Sequence, residues 1–143
     1  MVLYRLGIYF YYLFIKFASL FNEKAKLWIE GRKSQQHVYQ FQLEKSERVW
    51  FHFASVGEFE QGKPLMEKIK KLHPEYKLLV TFFSPSGFNR PSSFFQADAV
   101  FPLPLDGQKV AKAWINALRP SLVLFVKQEL WFHYLNELNL QKI

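Results

Sequence analysis

The 143-residue chain contains no cysteine. Disulfide scaffolds, thiolate metal sites and cysteine nucleophiles are therefore excluded. Acidic residues are scarce: twelve Asp and Glu stand against nineteen Lys and Arg, a net charge of +7. That balance favours an anionic partner, whether nucleic acid, an anionic membrane or a phosphorylated substrate. Nucleic acid is the weaker explanation, because no helix carries a Lys/Arg stripe and neither a zinc-finger spacing nor an RNP-like aromatic motif is present. Neither GxGxxG nor a P-loop occurs. His37, His52, His73 and His133 are scattered and form no metal-ligand pattern, and no Ser-His-Asp arrangement follows from the spacing. No uncharged apolar run reaches the ~20 residues of a spanning helix. The longest, Leu6–Ile15, is bracketed by Arg5 and Lys16, and no small-residue cleavage site follows it.

What the chain does have is apolar and aromatic bulk: half its residues are hydrophobic, with 16 Phe, 7 Tyr and 4 Trp. This suits one compact domain burying roughly 70% of its unfolded surface. Residues 1–33 hold +4 of the net charge and are also very apolar. Tyr4, Tyr9, Tyr11 and Tyr12 suit a headgroup interface. Residues 2–22 read as an interfacial or shallowly inserted helix, with the basic residues that follow facing anionic lipid. A core helix of a larger assembly is the alternative. Residues 1–22 are thus expected to be a membrane-associating helix, 23–48 a helical connector and 49–143 the main domain.

From Val49 onward apolar runs alternate with amphipathic stretches. Val49–Ala54, Lys77–Phe83, Ala99–Leu103 and Ser121–Val126 read as strands. The prolines of the third place it towards an edge, and the unbroken apolar fourth predicts a strand covered on both faces. Gly62–Leu72 reads as a helix with Leu65, Ile69 and Leu72 on one face. Others are expected over Asn89–Gln96, Gly107–Leu118 and Glu129–Gln141, the last with Leu130, Tyr134, Leu135 and Leu138 apolar. The alternation predicts an α/β fold, a parallel Rossmann-like sheet with flanking helices. A four-stranded sheet ending on a helix looks unfinished, so a further strand and a second domain are expected beyond Ile143.

In such sheets the functional loops leave the carboxyl ends of the strands. Here these are Ser55–Glu60, Ser84–Gly87, Pro104–Asp106 and Lys127–Glu129. Gly57 permits a tight turn or close approach by a ligand. Glu58, after it, is either a proton acceptor for a substrate hydroxyl or a charge complementing a helix N-terminus. Ser84, Ser86 and Gly87 form either a phosphate-holding turn or an ordinary one. Lys127 is either a partner for Glu58, Glu129 or a phosphate, or a solvated strand-end lysine. His52 reads as a packed core histidine.

Taken together, these segments resemble the N-terminal half of the 3-deoxy-D-manno-octulosonic acid (Kdo) transferases. The resemblance begins with the aromatic N-terminus leading into Trp28-Ile29-Glu30-Gly31-Arg32-Lys33. His52-Phe53-Ala54-Ser55-Val56-Gly57-Glu58 is similar to the family's H-x-x-S-V-G-E loop, and Thr81 to Gly87 to its T-x-T-P-T-G loop. Leu103-Pro104-Leu105-Asp106 matches L-P-x-D, and Glu129-Leu130-Trp131 the family's E-L-W. One departure is sharp. Lys127 stands where the family's E-T-E-L-W-P-N stretch has its first glutamate, and the proline and asparagine of that stretch are absent.

The resemblance implies the acceptor-binding half of an inverting, metal-independent GT-B glycosyltransferase that uses no cofactor. It further implies a lipid A precursor as acceptor and CMP-Kdo as donor, the donor held by a separate C-terminal domain. The implied location is the cytoplasmic face of the inner membrane, against anionic lipids and without nucleic acid. Glu58 becomes the expected base. Ser55, Gly57, Ser84, Ser86, Gly87, Lys127 and Glu129 are expected to line the acceptor cleft. The rival readings are a membrane-tethered, non-catalytic lipid- or glycan-binding module and another Rossmann-type glycosyltransferase domain.

Overall fold

The computed structural model describes residues 2–33, 46–127 and 129–143. The chain opens with helices α1 (Val2–Ala18) and α2 (Glu23–Lys33). Four strands follow: β1 (Arg48–Phe53), β2 (Lys77–Phe82), β3 (Ala99–Pro102) and β4 (Leu122–Phe125). Between and after them run α3 (Val56–Leu72), α4 (Pro85–Phe88), a 3-10 turn over Ser92–Phe95, α5 (Gln108–Leu118) and α6 (Phe132–Gln141). All strand pairs are parallel and the order across the sheet is β3-β2-β1-β4. This is the expected Rossmann-like α/β arrangement. The part of the connector over residues 34–45 lies outside the described residues, as does Gln128.

Alternation along the strands builds two cores. Trp50, Leu79 and Phe101 face α5 and α6, where they meet Trp114, Ile115, Tyr134 and Leu138. Val49, Phe51, Phe53, Val80 and Phe82 face the other way and pack on Phe59 and Met66 of α3 and on Phe95. Every residue of β1 is buried, as befits a central strand covered on both faces.

Three expectations need correction, and a fourth needs refinement. β4 has both faces covered, as expected, but it is an edge strand paired only with β1 and is half-buried rather than fully buried, with Leu122 46% exposed. Its apolar run follows from Val123 and Phe125 packing on one core and Leu124 and Val126 on the other. α3 begins at Val56 rather than Gly62, because Ser55 and Glu58 form a capping box that starts the helix six residues early. Its buried face is therefore Phe59, Gly62 and Met66, whereas Leu65 and Leu72 are exposed. The single helix expected over Asn89–Gln96 is replaced by two short turns. Ser84 caps the first with Pro85 at its start, and Pro91 precedes the second and disfavours helix in the residue before it. Finally, α6 starts at Phe132, so Leu130 lies outside the helix and is exposed, while His133, Tyr134, Glu137 and Leu138 turn inward.

β3 lies at the edge its prolines predicted. No helix among the described residues is long and apolar enough to cross a membrane. α1 has no buried residue, and Leu3, Leu6, Phe10, Phe14 and Phe17 form an exposed stripe at helical spacing.

Candidate active site

Because all four strands run parallel, their carboxyl ends share one edge, and the segments holding Ser55, Ser84, Asp106 and Lys127 start there. Glu58 is the third residue of α3, in the turn that follows β1. Its Oε2 accepts the Ser55 backbone N–H at 2.6 Å and the Ser55 hydroxyl at 2.5 Å. Its Oε1 lies 3.7 Å from Lys127 Nζ, and the two side chains are 18% and 51% exposed respectively. The Ser55 hydroxyl above all, with the backbone N–H groups and the nearby Lys127 ammonium, holds the Glu58 carboxyl below its ordinary value despite partial burial. Glu58 is thus a capping residue and an ion-pair partner at once.

Lys127 adopts the left-handed backbone conformation, with φ at 66°. A residue with a Cβ is held there at a cost of roughly 1–2 kcal/mol. This bend is where β4 gives way to the segment carrying Glu129.

Glu129 is joined to the sheet by a chain of polar contacts. Trp50 Nε1 donates to Thr81 Oγ1 at 2.8 Å, and His52 Nδ1 lies 2.8 Å from the same oxygen. The Thr81 hydroxyl has one proton, and Phe51 O at 3.5 Å is the poorer acceptor. The pattern therefore assigns that proton to His52 Nδ1 and the ring's own proton to Nε2. Nε2 points towards Glu129 Oε2 at 3.5 Å, and this oxygen also accepts from Trp131 Nε1 at 2.9 Å. Burial pulls the His52 pKa down, so the ring is neutral. His52 is the packed core histidine expected, and its buried Nε2 approaches Glu129 without a hydrogen bond.

The remaining expected site residues divide. Gly57 is exposed on the first turn of α3 without a positive φ, and a Cβ there would meet only Ser55 Oγ at 3.7 Å. It leaves the surface beside Glu58 open and makes no special turn. Ser84 and Ser86 lie at the same edge, but Ser84 Oγ accepts from the Ser86 backbone N–H and hydroxyl, capping its own turn. Gly87 is buried, and a Cβ would lie 2.0 Å from Phe82 Cγ. Packing on Phe82 fully accounts for that glycine.

Sequence reasoning missed the roof. Phe83, just past β2, stacks on Trp131 at 5.0 Å and meets Trp28 at 5.6 Å and Tyr11 at 6.1 Å. At the far end the Tyr4 hydroxyl donates to Asp106 Oδ2 at 2.5 Å, and the same oxygen accepts the His133 N–H at 3.0 Å. Burial, reinforced by Asp106, pushes the Tyr4 pKa well up and keeps the phenol a donor. α1 and α2 therefore lie across the carboxyl edge, which neither helix's own pattern shows. Among the described residues no group of three or more His, Asp or Glu side chains is placed to hold a metal ion.

Residues 23–143 match the family model for 3-deoxy-D-manno-octulosonic-acid transferase, a stretch that includes the whole sheet and leaves α1 outside. The 3-deoxy-D-manno-octulosonic acid transferase of Chlamydia trachomatis is 35% identical over 91 residues, 62% of this chain and 21% of that protein. That of Haemophilus influenzae is 33% identical over 97 residues, 66% of this chain and 22% of the relative. That of Rickettsia prowazekii is 28% identical over 120 residues, 81% of this chain and 26% of the relative. The chain thus spans between a fifth and about a quarter of the length of these relatives. It belongs to the Kdo transferase family, of which it carries the N-terminal domain.

Proposed function

We propose that the chain is the acceptor-binding part of a GT-B glycosyltransferase that moves Kdo from CMP-Kdo to a lipid A precursor. Glu58 is the base. Its carboxylate takes the proton of an acceptor sugar hydroxyl while that oxygen attacks the anomeric carbon of Kdo. The bond from that carbon to the cytidylate oxygen breaks, CMP leaves with the electron pair, and the anomeric centre inverts. The step calls on neither metal nor cofactor. The donor is held by residues outside these 143, so the 143 residues alone do not turn over.

The observation that carries this reading is the way Glu58 is held. The Ser55 hydroxyl and N–H fix one oxygen, and the other is left facing Lys127 at the open side of Gly57. A base must be oriented and ionised before the substrate arrives, and this arrangement provides both. Ser55, Gly57, Ser84, Ser86, Lys127 and Glu129 surround the acceptor sugar in this reading, while Gly87 supports the turn from beneath. The outward stripe of α1 and the basic residues around it favour attachment to anionic lipid at the cytoplasmic face of the inner membrane.

A second reading has one observation in its favour. Both Glu58 oxygens already have partners, as they would in a non-catalytic, membrane-tethered binding module. One experiment separates the two. The protein from the complete reading frame and its Glu58→Gln variant are assayed for transfer from CMP-Kdo to a lipid A precursor. Glutamine keeps an oxygen for Ser55 but accepts no proton. The proposal expects turnover to fall by orders of magnitude with acceptor binding retained. Equal turnover in the two proteins removes Glu58 as base, and acceptor binding without turnover in either favours the binding module.

A further inference from the structure

Arg32 lies in the last turn of α2, above the carboxyl edge. Its guanidinium donates to Trp28 O at 3.2 Å and to Phe83 O at 2.9 Å. It stacks 3.6 Å from the centre of the Trp28 ring, with Phe83 and Phe88 further out. What it lacks is an anion. Among the described residues no carboxylate forms an ion pair with it, and its Nε is buried without an acceptor. Trp28, only 5% exposed, likewise buries its indole N–H without one. Burial brings the Arg32 pKa down to about 9. Carbonyls and ring faces solvate such a charge incompletely, and the C-terminal dipole of α2 adds about half a charge at most.

The residues that carry these donors line a groove. Trp28, Arg32 and Lys33 form one wall, and Tyr12, Pro104 and Leu105 face them around about 290 Å³. Lys33 is exposed and adds a second cation. The site is next to the proposed active site: Arg32 is bonded to Phe83 O, and Phe83 stacks on Trp131, which bonds Glu129. Buried donors without acceptors, a cation without a counter-ion and a groove of ligand size all call for an oxyanion.

We propose that Arg32, with Lys33 and the Trp28 indole N–H, forms a phosphate-binding subsite that takes a sugar phosphate of the acceptor. The assignment of the phosphate to the acceptor rests on the transferase reading above. The subsite fixes the acceptor by its phosphate, so that the reacting hydroxyl comes to rest at Glu58. Arg32 acts on binding and takes no part in the proton transfer.

The test uses the complete protein. Thermal shifts are measured with glucosamine 1-phosphate and with glucosamine. The expected result is stabilisation by the phosphate ester alone, lost in Arg32→Gln and partly kept in Arg32→Lys. In the transfer assay Arg32→Gln should raise KM for a phosphorylated lipid A precursor at least tenfold at nearly unchanged kcat. The KM for the dephosphorylated precursor should not move. Should Arg32→Gln fail to fold, Trp28→Phe and Lys33→Gln carry the test, each raising the same KM several-fold. Equal stabilisation by glucosamine, or equal KM for both precursors, overturns the proposal even where Glu58→Gln abolishes turnover. Arg32-dependent binding to phosphatidylglycerol vesicles with an unmoved acceptor KM overturns the acceptor as the source of the phosphate. The thermal shift needs no turnover, so an inactive protein that still recognises the phosphate ester overturns the transferase reading and leaves the subsite standing.

Discussion

Replacing Lys127 by methionine removes the ammonium 3.7 Å from Glu58 Oε1 and keeps the stem of the side chain. At that distance two unit charges interact by about 1 kcal/mol in water and by about 4 kcal/mol at an effective dielectric constant of 20. Lys127 is half exposed, so solvent screening brings the pair to the surface range of about 0.2–1 kcal/mol. At 1.36 kcal/mol per pH unit this corresponds to at most about 0.7 pH unit. The sign follows from the role. Glu58 accepts a proton only when ionised, and Lys127 favours the ionised form, so its removal raises the carboxyl pKa. The acid limb of kcat/KM should move towards neutral pH by up to about 0.7 unit, and further in Lys127→Glu, which sets a like charge beside the base. Lys127→Gly separates charge from backbone. It loses the ammonium but relieves the positive φ, so it should shift the limb as methionine does while stabilising the fold by up to about 1 kcal/mol. The assay is kcat/KM against pH for the complete enzyme. An acid limb that coincides in wild type, Lys127→Met and Lys127→Glu refutes the reasoning, because the reacting carboxylate would then not feel this charge.

Other perturbations read other parts of the structure. Thr81→Val removes the oxygen shared by Trp50 and His52 and leaves two buried groups unpaired, which should cost about 2–4 kcal/mol in denaturant unfolding. Gly87→Ala drives a Cβ into the ring of Phe82, which is fully buried and has nowhere to move, so a loss of at least about 1–3 kcal/mol and a lower Tm are expected. Phe10, Phe14 and Phe17 are 63%, 68% and 64% exposed on one face of α1. Replacing all three by serine should abolish flotation with anionic vesicles while leaving the far-UV circular dichroism unchanged.

The strands were legible because each is a short apolar run bounded by charge or by proline and glycine, and local composition suffices to mark them. Errors arose where one segment serves two purposes. Ser55-Val56-Gly57-Glu58 reads as a loop because a glycine and a carboxylate follow a strand, yet the same serine and glutamate satisfy the first amides of α3 and pull its start forward. With Phe59 and Gly62 in the helix, the buried face runs Phe59, Gly62, Met66 and Ile69, and Leu65 and Leu72 fall to its exposed side. β4 shows a different limit. A strand at a sheet edge can still be flanked by both layers, and sequence does not distinguish that from a central strand. At Gly87 a glycine reads equally as a ligand contact or a turn, and sequence does not show that a ring five residues earlier fills the space beside it. Arg32 was invisible as a site residue, because an arginine in the last turn of a helix has an ordinary explanation in the dipole. Its lack of an anion emerges only once Trp28, Phe83 and Phe88 have closed around it.

The two faces of α1 link these parts. The inward face carries Tyr4, which donates to Asp106 beyond β3, and Tyr11, which packs on Trp28 and Phe83 beyond β2. The outward face carries the stripe from Leu3 to Phe17. A helix with its side chains is about 10–12 Å across. If the outward stripe rests on a lipid surface, as proposed, the carboxyl edge is held about one helix diameter from it. The cleft then meets the headgroup of an acceptor whose acyl chains never leave the bilayer. In that geometry Arg32 and Lys33, at the end of α2, come into reach of a sugar phosphate, and Glu58 comes into reach of a sugar hydroxyl. Under the proposed function the apolar excess and the basic excess of the first 33 residues serve one arrangement, the first setting the depth of the site and the second its occupant.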